Sequence, residues 1–95
     1  MLTPEEGRTA VRLARSAIGK TLSGERAALP ALPAVFREKR GVFVTIKRQG
    51  RLRGCIGLPY PTRPLADAIV EAAVSAALED PRFPPVSRSE LADID

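Results

Sequence analysis

Residues 52–57 read Leu52-Arg53-Gly54-Cys55-Ile56-Gly57. Cys55 is the only cysteine in the 95-residue chain, and a thiolate is both a nucleophile and a soft ligand. A cation beside a thiol stabilises that thiolate, which makes Arg53 the candidate anion or thiolate stabiliser. Gly54 and Gly57 leave the backbone bare, so a ligand can approach closely and use main-chain N–H groups. Cys55 is therefore the candidate catalytic residue, and Arg53, Gly54 and Gly57 are candidate ligand-binding residues. A plainer reading stands beside this one: free cysteine is among the most buried residue types and packs as a small hydrophobe.

The rest of the chain offers little else for chemistry. It has no histidine, so it holds no Cys–His dyad of its own. Its acids are scattered and form no metal motif. Gly19-Lys20-Thr21 resembles the end of a phosphate-binding loop, but Ala14 stands where that motif needs its first glycine, and a helix precedes it instead of a strand. Lys47, Arg48 and Arg51 crowd a hairpin tip, yet no aromatic platform or groove-fitting helix accompanies them, which argues against nucleic acid. Asp80-Pro81-Arg82-Phe83-Pro84-Pro85 reads as a rigid connector with one opposite-charge pair, whose main role is to end a helix and set a turn.

Composition bounds the class. The length suits one small domain. Hydrophobic residues make up 44% but aromatics only 4%, so the core must be aliphatic and rich in alanine. A single cysteine excludes an internal disulfide and fits a reducing cytoplasm. The acidic start lacks the apolar run of a secretory signal, and no stretch approaches the roughly 20 residues of a membrane span. The net charge of +4 is uneven. Residues 37–53 carry seven bases against one acid, and residues 64–95 carry seven acids against two bases. The two regions could meet each other or separate partners, although blocks of charge are usually solvated faces.

The elements that position these residues follow from local signals. Thr3-Pro4-Glu5-Glu6 is a capping box with proline at the first helical position, and the apolar spacing predicts a helix over residues 4–19 with Gly19 as its stop. Residues 20–40 read as a long connection with a short helical turn near Ala34–Glu38, and connections this long are often functional. Val42, Val44 and Ile46 alternate with Phe43, Thr45 and Lys47, and a second strand follows Arg48-Gln49-Gly50.

A two-residue Gln49-Gly50 turn would pair Ile46 with Arg53 and Lys47 with Leu52, mixing the faces. A three-residue loop instead pairs Ile46 with Leu52, Val44 with Gly54 and Val42 with Ile56, keeping one face apolar and placing Gly50 where glycine is favoured. This register sets Cys55 opposite Phe43, on a face with Thr45, Arg51 and Arg53. Pro64 opens an alanine-rich helix through Glu79, which Asp80-Pro81 ends. Ser87 with Glu90 forms a second capping box and Val86 with Leu91 a hydrophobic staple, before a short helix at Arg88–Ala92.

Gly41-Val42-Phe43-Val44-Thr45, the 52–57 hexapeptide, Pro64-Leu65, Glu79-Asp80-Pro81-Arg82-Phe83-Pro84-Pro85 and Glu90-Leu91 together resemble the AMMECR domain family, in order and spacing and over nearly the whole chain. The resemblance implies an α+β protein of two unequal lobes, with its signature and functional site at Leu52–Gly57. It also implies a pathway shared with Memo-like and radical S-adenosylmethionine proteins. No reaction, substrate or cofactor is agreed for the family.

Family domains run to roughly twice this length. Residues 1–95 therefore read as a partial domain: a β-hairpin packed by two main helices, the N-terminal part of the two-lobed fold. A truncated gene, a split gene or an excised fragment would each explain this. Each leaves an exposed strand edge that recruits the missing C-terminal half or a second copy. Three functions stay open: an enzyme or enzyme subunit using Cys55, a non-catalytic small-ligand or protein-binding adaptor, and a nonfunctional remnant.

Overall fold

The computed structural model describes residues 2–25 and 30–94. Helix α1 spans Pro4–Leu22. Its capping box forms as the sequence implies: Glu6 N–H donates to Thr3 Oγ1 at 3.1 Å, and Thr3 N–H donates to Glu6 Oε1 at 2.9 Å. Gly19 does not end it. A glycine inside a helix costs only about 1 kcal/mol, and buried Ile18 with Leu22 packed behind it holds the last turn in place. The helix stops where Gly24 takes the left-handed conformation, with φ of 76°.

The long connection contains a 3-10 turn at Ala34–Arg37, which buries Phe36 completely; residues 26–29 of that connection lie outside the described residues. Helix α2, Leu65–Leu78, is the centre of the fold. Its alanines at 72, 73, 76 and 77 are buried, and they let α1 and the hairpin both approach it closely. One apolar cluster joins Ile18, Ile46, Ala73, Ala76 and Val86. The other joins Leu13, Phe36, Leu65 and Ile69.

The hairpin consists of β1, Val42–Arg48, and β2, Arg51–Leu58, paired antiparallel. Its register differs from the expected one. Arg48 pairs with Arg51 across a two-residue turn, Lys47 with Leu52, Ile46 with Gly54, Val44 with Ile56 and Val42 with Leu58. Two features make this possible. Gln49 itself adopts φ of 53° beside Gly50 at 77°, the left-handed pair that a tight hairpin turn requires. Arg53 is then an extra residue in β2, a bulge that restores the apolar alternation beyond it.

The faces of Gly54, Cys55 and Ile56 are as expected from the sequence, but Leu52 is turned to the exposed outer face. Cys55 sits opposite Thr45, and Phe43 sits opposite Gly57.

Residues 88–93 form a 3-10 turn with the Ser87–Glu90 capping box in place. Beyond it Ile94 makes an antiparallel bridge to Arg48 at the open edge of β1. Among the described residues no helix is long and apolar enough to cross a membrane.

Candidate functional site

The hairpin's inner face lies on α2, and its outer face carries Phe43, Thr45, Cys55 and Gly57. Cys55 is half-buried. Its Sγ lies 3.5 Å from Thr45 Oγ1, in hydrogen-bond reach across the strands. Its backbone N–H turns away from β1 and donates to Asp80 Oδ2 at 3.0 Å.

Asp80 follows the end of α2 and is the one buried charged side chain among the described residues, 4% exposed. A buried carboxylate must have its lone pairs filled, and here they are. Besides Cys55, Asp80 accepts three bonds from Arg82: backbone N–H at 3.0 Å and Nε at 3.1 Å on Oδ1, and Nη2 at 2.8 Å on Oδ2. The Arg82 side-chain bonds, then the backbone N–H groups of Arg82 and Cys55, hold the Asp80 carboxyl well below the usual carboxylate range. Asp80 is therefore a fixed anion and a poor proton acceptor.

Arg82 binds Asp80 side-on, through two of its five N–H groups, and its guanidinium stands over the Phe83 ring at 5.5 Å. The side chain remains 56% exposed. Asp80 raises Arg82 above the ordinary arginine value. Arg82 and the Cys55 backbone N–H share one carboxylate oxygen, Asp80 Oδ2.

Arg53, expected beside Cys55, points elsewhere. In the bulge its Nε and Nη2 donate to Glu90 Oε2 at 2.8 Å and Oε1 at 3.1 Å. Arg48 Nη1 joins the same carboxylate at 3.2 Å. Glu90 is lowered from its ordinary 4.5 to about 2, first by Arg53 and then by the Ser87 backbone N–H. This cluster fastens the 88–93 turn to the hairpin.

The two glycines also have neighbours. At Gly54 a Cβ would collide with the Ala76 carbonyl, so the glycine lets α2 reach the sheet. At Gly57 a Cβ would collide with the Phe43 ring, which lies across it. The hexapeptide thus divides its work. Gly54 and Arg53 build the fold, while Cys55 faces the open side. Sequence reasoning missed Asp80 and Arg82 as its companions. The available signal was that the hexapeptide and the Glu79–Pro85 segment are two of the stretches that carry the family resemblance. In space they converge on one residue.

Among the described residues no group of three histidine, cysteine, aspartate or glutamate side chains could hold a metal ion. The family model AMMECR1 matches residues 11–95. The chain belongs to the AMMECR1 family. It is 58% identical, over 96 residues, to a protein of Methanothermobacter thermautotrophicus, covering 99% of this chain and 50% of that one. A protein of Methanocaldococcus jannaschii is 50% identical over 96 residues, covering 99% of this chain and 48% of its own length.

The crystal structure of uncharacterized protein PH0010 from Pyrococcus horikoshii matches with a TM-score of 0.93 and 43% identity, across 98% of this chain and 49% of that one. The fold is therefore the α+β fold of the AMMECR1 family. The chain spans about half the length of the curated relatives it matches.

Proposed function

We propose that the outer face of the hairpin is a small-anion site, in which Arg82 takes the anionic group and Cys55 touches the ligand. The observation that carries this reading is the buried Asp80. It ties the Cys55 backbone and the Arg82 guanidinium into one unit while the guanidinium stays exposed. A guanidinium presented this way matches a carboxylate or a phosphate. Thr45 orients the thiol, and Gly57 with Phe43 forms the neighbouring wall.

Turnover needs a group to take the thiol proton, and acid-shifted Asp80 is unsuited to that role. On its own residues the site binds a ligand. Catalysis would draw its base from the second half of the family domain or from a partner. The family resemblance supports a role in a pathway shared with Memo-like and radical S-adenosylmethionine proteins, and the lone cysteine supports a reducing, cytoplasmic setting.

Alkylation of the folded chain by iodoacetamide near neutral pH tests the reading. Cys55 should react without denaturant, and millimolar inorganic phosphate should slow the reaction. Labelling only after denaturation would make Cys55 a packing residue and end the reading. A protein-binding adaptor is the second reading, favoured by exposed Phe43 and Leu52 on the same face. It predicts native labelling that phosphate leaves unchanged.

A further inference from the structure

The outer face of the hairpin runs from an aromatic ring to a guanidinium. At one end lies Phe43, 70% exposed and paired across the ladder with Gly57. A Cβ at position 57 would collide with the Phe43 ring, so the ring fills the space where a side chain on β2 would stand. One side of the ring is thereby seated on the strand, and the other is open to solvent.

Two residues along the strands, on the same face, come Thr45 and Cys55, with Oγ1 and Sγ 3.5 Å apart. Diagonal positions on one face of an antiparallel pair lie roughly 7–8 Å apart, within reach of an aromatic ring. Beyond Cys55, reached through Asp80 on the side away from β1, stands Arg82. Asp80 holds Arg82 Nε and one proton of Nη2, and the Phe83 ring lies 5.5 Å from the guanidinium carbon. Nη1 and the second Nη2 proton are left as a fork that matches two oxygens of one phosphate.

We propose that this face binds a nucleoside monophosphate, with the base on Phe43, the sugar hydroxyls at Thr45 and Cys55, and the phosphate on the Arg82 fork. The inference rests on the anion reading above and names its ligand. The order aromatic, polar, cationic along the face is the order base, sugar, phosphate along a nucleotide. Every base has a π-face that stacks on an aromatic side chain. One open ring and one fork suit a single nucleotide, whereas a nucleic-acid strand would require successive platforms along a basic groove. Free phosphate would use the fork and leave the ring idle, and an apolar protein patch would use the ring and leave the fork idle.

Competition against iodoacetamide labelling of Cys55 in the folded chain tests the proposal, with adenosine monophosphate (AMP), adenosine and inorganic phosphate as probes. AMP should half-protect Cys55 at a concentration roughly tenfold or more below that of either phosphate or adenosine. Phe43→Leu keeps an exposed apolar side chain but removes the ring, and it should bring AMP close to phosphate. Gly57→Ala displaces the ring and should do the same. AMP no better than phosphate, or an advantage that survives both substitutions, would overturn the inference and leave the anion reading in place. Adenosine as effective as AMP would overturn it as well. No protection by any of the three would end both.

Discussion

Among the described residues two carboxylates are acid-shifted by arginine, and they do different work. Glu90 sits in a closed cluster. Arg53, mostly buried, and Arg48 both turn toward it, and the result clamps the 88–93 turn to the hairpin. Asp80 sits in an open one. It is more buried than Glu90, yet its arginine is mostly exposed, and its remaining bond goes to the backbone of Cys55. The closed cluster leaves Arg53 only 12% exposed, its Nη1 buried without a partner among the described residues, whereas the open one leaves Arg82 donors in solvent. This contrast separates Arg53, which the sequence singles out, from Arg82, which the geometry favours.

The glycines provide the largest expected effect. Gly54→Ala forces a methyl against the α2 backbone, which cannot swing aside, and should cost near the upper end of about 1–3 kcal/mol. Chemical denaturation measures it. Gly57→Ala meets only the exposed Phe43 ring, which can rotate away, and should cost less than about 1 kcal/mol. Equal losses at the two positions would mean that the hairpin does not rest on α2 as described.

The closed cluster comes next. The Glu90 pKa is depressed in the folded chain, so its contribution is fully present above its unfolded value of 4.5 and is lost as pH falls through about 2. Glu90→Gln should lower stability at neutral pH by on the order of 1–2 kcal/mol after allowance for solvent screening, and it should flatten the stability profile between those two pH values. Thermal melts of both proteins from pH 7 to pH 2 would show it; parallel profiles would remove Glu90 from the account. Arg82→Gln strips the buried Asp80 carboxylate of two side-chain hydrogen bonds and its counter-charge, so it should also weaken the fold. A melting temperature below that of the unaltered chain is the expected result.

Much of the architecture was legible because its signals are local. Both capping boxes, Thr3 with Glu6 and Ser87 with Glu90, are three residues wide and formed as read. The alanine-rich face of α2 and the outward face of Cys55 followed from periodicity. The register was misread because the two-residue turn mixes the faces unless Arg53 bulges out of β2, and because Gln49 must accept a left-handed conformation that its residue type does not advertise. Once Gln49 does so, the turn shortens, Arg53 bulges and Leu52 changes face. The site was half legible. Cys55 stood out as the lone thiol, but Asp80 lies 25 residues away from it, and its partnership is set by how α2 ends against β2. Arg53 was the nearer cation in sequence, and the bulge carried it to Glu90.

The central claim is that Arg82, held by Asp80, makes the Cys55 face an anion site. The most direct measurement is the rate of iodoacetamide labelling of Cys55 with and without inorganic phosphate, in the unaltered chain, Arg82→Gln and Arg53→Gln. Phosphate should slow labelling severalfold in the unaltered chain and in R53Q, and the protection should vanish in R82Q. Protection that survives in R82Q but disappears in R53Q would contradict the account and return the role to the bulge arginine.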